Sequence, residues 1–97
     1  MAGVTTHVVA HPNGVEEVSS AKAAAGHGTV DHHVNITLMN GDTHRYYGAN
    51  GMSVVKTVAD SGVLAVKVNK VTYRHYGVGA WVSVDTQPYE DVEPFVL

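Results

Sequence analysis

Leu64, Val66 and Val68 alternate with Ala65 and Lys67. A period of two marks a strand with one buried face. Val82 and Val84 alternate with Trp81, Ser83 and Asp85 in the same way. Turn signals recur between such runs: "HPNG" at 11–14, "NGD" at 40–42, "GANG" at 48–51, "DSG" at 60–62, "NK" at 69–70 and "GVG" at 77–79. Short apolar runs between closely spaced turns predict an antiparallel meander. Strands are expected over 5–10, 30–39, 42–47, 53–58, 63–68, 71–76 and 80–85. Asn40-Gly41 suits a two-residue type I′ turn, because both residues tolerate positive φ. That turn would set Met39 opposite Asp42, Leu38 opposite Thr43 and Thr37 opposite His44. "ADSG" suits a type I turn closed by a glycine bulge.

Three segments are less regular. "VEEVSSAKAAAG" (15–26) has acids at its start, a run of alanines and a terminal glycine. It predicts a helix capped by Asn13, with a hairpin across "HPNG" as the rival. Residues 52–62 read as strand over helix because of their β-branched side chains. "TQPYEDVEPFVL" has two prolines and no alternation, so it reads as an extended arm. Its Tyr89, Val92, Phe95 and Leu97 are large apolar groups for a free tail. The expected fold is therefore mainly β (β-rich α+β). A small antiparallel meander over 1–85 forms a barrel or compact sandwich, with one short helix near 15–25. The arm follows over 86–97.

Composition narrows the function classes. Nineteen of 97 residues are valine, and only 15% are charged. So lightly charged a surface favours self-association or a permanent partner. Six Lys and Arg are scattered against nine Asp and Glu, for a net charge of −3. Nucleic-acid binding needs a stripe of cations, and none is present. With no cysteine, disulfides, thiolate zinc sites and cysteine nucleophiles are excluded. The start of the chain lacks a basic segment followed by an apolar stretch, so the expectation is a cytoplasmic or virion protein without a signal peptide.

The seven histidines are the first candidates for chemistry. A metal site needs three or four ligands converging on one point. His32 and His33 are neighbours on a strand and face opposite sides. A site would need His7, His11, His27 or His75 brought in by the fold, so no metal or other cofactor is expected. No Gly-x-Ser-x-Gly elbow, P-loop or dinucleotide loop occurs, and Glu16-Glu17 and Glu90-Asp91 read as solvated pairs. No catalytic residues are assigned.

The aromatics carry more. Tyr46, Tyr47, Tyr73, Tyr76 and Trp81 lie on neighbouring predicted strands, with Arg45, Arg74 and His75 beside them. Tyrosine, tryptophan and arginine are the residues enriched at binding hot spots. The reading weighed ahead of such a face is that Trp81 and about half the tyrosines fill a small core.

The pattern "NGDTHRYYGANG…SGVLAVKVNKVTYRHYGVGAWVSV" resembles small β-rich bacteriophage proteins, especially those of actinobacteriophages. The resemblance spans residues 35–84. It implies a virion component or an accessory protein acting on a host factor. The leading expectation is a non-enzymatic structural or interaction protein. It would be homo-oligomeric or bound to other subunits, with the arm docking through Tyr89, Val92, Phe95 and Leu97. One alternative is a binder of a small anionic or nucleotide-like ligand, held by Arg45, Arg74 and His75. Another is an enzyme whose site carries no recognisable motif.

Overall fold

β-branched residues give up little on entering a pleated strand, and the valine-rich runs form strands throughout. The computed structural model describes residues 3–12 and 14–88. The elements are β1 (Thr5–His11), β2 (Gly14–Val18), α1 (Ala21–Ala25), β3 (Val30–Leu38), β4 (Thr43–Ala49), β5 (Val54–Val58), β6 (Leu64–Val68), β7 (Val71–Tyr76) and β8 (Trp81–Pro88). They make two sheets, ordered β2-β1-β4-β3-β8 and β5-β6-β7. The layers pack as a sandwich, and among the described residues no barrel closes.

The smaller sheet is a simple meander. Its first turn has Gly62 at φ 91°, with Gly62 N–H donating to Ala59 O (2.8 Å). This is the expected turn with its glycine bulge. Its second turn puts Asn69 and Lys70 at φ 52° and 73°, a type I′ geometry. The larger sheet is less local. β1 runs parallel to β4, from Thr5↔Thr43 to Ala10↔Gly48, while its other neighbours pair antiparallel.

Two expectations are corrected. Residues 15–18 are strand, not helix, and the helix is only Ala21–Ala25. Pairing with β1 sets Val15 and Val18 against the rest of the fold, which outweighs the local helix signal. Ser20 caps α1, its Oγ accepting from Ala23 N–H (3.1 Å). Asn13 lies outside the described residues. The β3–β4 turn is also not type I′. Gly41 N–H donates to Leu38 O (3.0 Å), Leu38 N–H donates to Asp42 O (2.8 Å), and only Gly41 has positive φ, 92°. A three-residue loop with a glycine bulge results, so Thr37 pairs with Thr43 and Ile36 with His44. Every pair expected from a two-residue loop moves by one.

The main core lies between the sheets: Val8, Val34, Ile36 and Tyr46 from one side, Val54, Leu64, Val66 and Tyr76 from the other. A smaller core on the far face of the large sheet joins Val9, Val30, Tyr47 and Ala49 to Ala24 of α1. Alanine there lets the helix sit close to the sheet. Gly48 is obligatory in the same practical sense, because a Cβ would overlap the His32 ring and the Met52 carbonyl.

Candidate functional site

His32 and His33 do face opposite sides. His32 Nε2 accepts from Val54 N–H (3.0 Å), tying the large sheet to the start of β5. His33 packs on the other face, its ring 6.1 Å from that of Tyr47.

The expected tyrosine and arginine face does not form one surface. Tyr46, Tyr47 and Tyr76 are buried. Tyr46 and Tyr76 are inter-sheet core, and Tyr47 belongs to the helix-side core. Arg45 lies on the Tyr47 face of the large sheet, its Nε donating to Asn35 Oδ1. Arg74 pairs with Val66 on the core side of β7, and His75 pairs with Ala65 and points away. Arg45, Arg74 and His75 therefore occupy three different faces and cannot grip one anion. A bulge inserts one extra residue in β7 between the Val66↔Arg74 and Lys67↔Thr72 pairs. It breaks the period of two along β7, so Tyr73 leans on Tyr46 (6.0 Å, edge-on) with the Arg74 guanidinium 5.8 Å over its ring.

The buried tyrosines instead form a polar stitch between the sheets. The Tyr46 and Tyr76 hydroxyls are 2.5 Å apart, and Tyr76 Oη lies 2.6 Å from His44 Nδ1. Both hydroxyl protons find acceptors when Tyr46 donates to Tyr76 and Tyr76 donates to a neutral His44. The surroundings favour that state. Burial, then the charge of Arg74, lowers the His44 pKa below its ordinary value, against the opposing pull of Asp42 and Glu17. Burial and the Tyr76 hydroxyl push the Tyr46 phenol upward, so it stays protonated. The run ties the two sheets together through Tyr46, Tyr76 and His44.

Trp81 lies at the loop end of the sandwich, beside exposed aliphatic residues. It packs half-buried against the main core, and its Nε1–H donates to Gly62 O (3.0 Å). Three loops meet around it at one end of the sandwich. Met39 N–H donates to Ala80 O (3.1 Å), and Val78 packs over Gly62. Val4 joins them through Thr43 N–H (2.9 Å to its carbonyl) and through Asp42 Oδ1 (3.0 Å from its N–H). Val4, Met39, Val78 and Val82 are each more than half exposed. Val82 was expected to share a face with Val84. A bulge opposite Thr37 and Leu38 turns it outward, while Trp81 and Val84 pack inward. β8 then runs the length of β3, from Trp81 opposite Leu38 to Pro88 opposite His32. β8 thus ends, at Pro88, at the end remote from the apolar loops. Tyr89, Val92, Phe95 and Leu97 lie outside the described residues.

Two further features were not expected from sequence. An open concavity of about 320 Å³ on the outer face of the small sheet is lined by Ser53, Val55, Thr57, Lys67 and Lys70. At the edge of the large sheet, His11, Glu16 and His27 converge. Two of its three members were legible together. A hairpin across "HPNG" makes His11 and Glu16 diagonal neighbours on one face. His27 arrives by way of the turn after α1 and has no local signal.

Among the described residues, no helix is long and apolar enough to cross a membrane. Comparison with protein-family models, with curated proteins and with solved structures gave no match.

Proposed function

We propose that the chain is a non-enzymatic structural or protein-interaction subunit that binds a second copy of itself. The observation that carries this reading is the apolar loop end around Trp81, with Val4, Met39, Val78 and Val82 exposed. Single exposed aliphatics are ordinary, but a cluster at one pole of a lightly charged domain marks a contact surface. The arm provides the complement. It follows β8 in sequence, which ends at the opposite pole, and carries Tyr89, Val92, Phe95 and Leu97. An arm at one end and an apolar patch at the other make a heterologous, head-to-tail contact, which closes into a ring or extends as a filament. The phage setting, as virion component or accessory protein, draws its support from the resemblance over 35–84.

Light scattering on three proteins tests the reading: the full chain, a chain ending at Pro88, and Met39→Asp combined with Val78→Asp. The full chain should be oligomeric and both variants monomeric with unchanged circular dichroism. A monomeric full chain, or a truncated chain of unchanged assembly size, would refute it.

The Lys67 and Lys70 concavity favours a second reading, a site for a small anionic or nucleotide-like ligand. Inorganic phosphate and nucleotides should then raise the melting temperature of the wild type and not of Lys67→Ala. Equal shifts in both proteins would sink it.

A further inference from the structure

His11 closes β1, Glu16 sits on β2, and His27 follows α1. Three separate elements thus deliver three groups with lone pairs to one place. Glu16 Oε1 lies 2.9 Å from His11 Nε2 and 3.3 Å from His27 Nε2. The two imidazoles stack nearly flush, centroids 4.7 Å apart and planes 8° from parallel. Their ligand atoms and that of Glu16 all lie within 4.8 Å of one another.

The spacing fits an ion. Ligands about 2.0–2.1 Å from a tetrahedral centre are about 3.4 Å apart along each edge. Two of the separations, 3.3 Å and 2.9 Å, are near that edge, and because the two rings lie in nearly parallel planes, binding would turn them until their in-plane lone pairs meet beside Glu16. The supports are firm. β1 and β2 pair through His11↔Gly14 and Val9↔Glu16. His27 N–H donates to Ala24 O (3.1 Å), and its carbonyl accepts from Asn50 Nδ2 (3.2 Å). Access is graded: the His11 side chain is 13% exposed, His27 32% and Glu16 48%. The cluster is walled on the protein side and open on the other, as a three-ligand site with a free position must be.

The donor set selects the ion class. Two imidazoles and one carboxylate, without thiolate, suit zinc, copper(II), nickel or cobalt(II). Calcium and magnesium prefer all-oxygen cages. We propose that His11, Glu16 and His27 form a three-ligand site for a divalent transition metal of the zinc class, with the fourth position open to water or to an external ligand. The metal would staple the β1–β2 hairpin to the turn after α1. This site does not depend on the self-association reading.

The test uses untagged full-length chain, stripped with a chelator and titrated with Zn²⁺, with Co²⁺ as a spectroscopic probe. The wild type should take up one ion per chain with a rise in melting temperature. Cobalt should give the intense visible absorption of four- or five-coordination, abolished by chelator. Loss of even an outer-shell partner weakens metal sites about 10–100-fold, so His27→Gln and Glu16→Gln should each weaken binding by at least about tenfold. His75→Gln, on the outer face of the small sheet, should leave it unchanged. Glu16 is an exposed strand residue, so Glu16→Gln remains decisive even if His27→Gln loses the fold. No uptake by the wild type, or undiminished affinity in Glu16→Gln, overturns the proposal.

Discussion

Tyr76→Phe deletes the middle member of the hydrogen-bond run that joins the two sheets. Tyr46, 1% exposed, keeps its hydroxyl but loses the partner 2.5 Å away. A buried hydroxyl without a partner costs about 1–3 kcal/mol, and losing the bond to His44 removes a further ~0.5–1.5 kcal/mol. The expected loss is about 2–4 kcal/mol. Tyr46→Phe trims the end of the run and leaves Tyr76 bonded to His44, so its cost is about 1 kcal/mol. The double variant leaves no hydroxyl stranded. Adding Tyr46→Phe to Tyr76→Phe should therefore recover stability, reversing its sign in the wild-type background. Urea unfolding, followed by Trp81 fluorescence and by circular dichroism, measures all three. With a slope of about 1–1.5 kcal/mol/M for a small domain, Tyr76→Phe should lower the midpoint by about 2 M. Equal costs for the two single variants, or an identical effect of Tyr46→Phe in both backgrounds, would refute the run as an energetic unit.

Two more outcomes are expected. Lys70 holds φ 73° in the type I′ turn, so Lys70→Gly should raise stability by about 0.5–1 kcal/mol, seen as a higher urea midpoint; a lower midpoint would contradict the assignment. Acid should destabilise the fold through its histidines. His7, His33 and His44 all have pKa values lowered from 6.5, each chiefly by burial and next by a nearby arginine. The folded chain therefore binds those protons less tightly than the unfolded chain. Their contribution is intact above pH 6.5, falls as the pH drops through and below that value, and levels off once the folded pKa values are passed. Urea midpoints taken across this window should show the slope in the wild type and a shallower one in His44→Gln. A slope unchanged by that substitution would remove His44 from the account.

Local pattern alone determined much of this protein. The period of two in β6 places Leu64, Val66 and Val68 inside, and the structure buries all three. Strand geometry puts His32 and His33 on opposite faces whatever their partners. Gly62, Gly41 and the Asn69-Lys70 pair mark turns because few residues accept positive φ. Tertiary structure decided the rest. Residues 15–18 became a strand because β1 offered a ladder and an apolar face: "HPNG" permits that hairpin, and the pairing chose it over the helix. The turn at Asn40-Gly41 took one residue more than the dipeptide suggests, and that shifted every pair of the hairpin. Bulges beside Tyr73 and Val82 carry no distinctive residue, yet each re-aimed a side chain. Tyr46, Tyr47 and Tyr76 have the composition of a binding face, and only the packing of two sheets and a helix shows them to be core. The meeting of His11, Glu16 and His27 depends on a hairpin, a helix and a turn closing together. Period and propensity are properties of neighbours in the chain, whereas convergence is a property of elements that burial brings together.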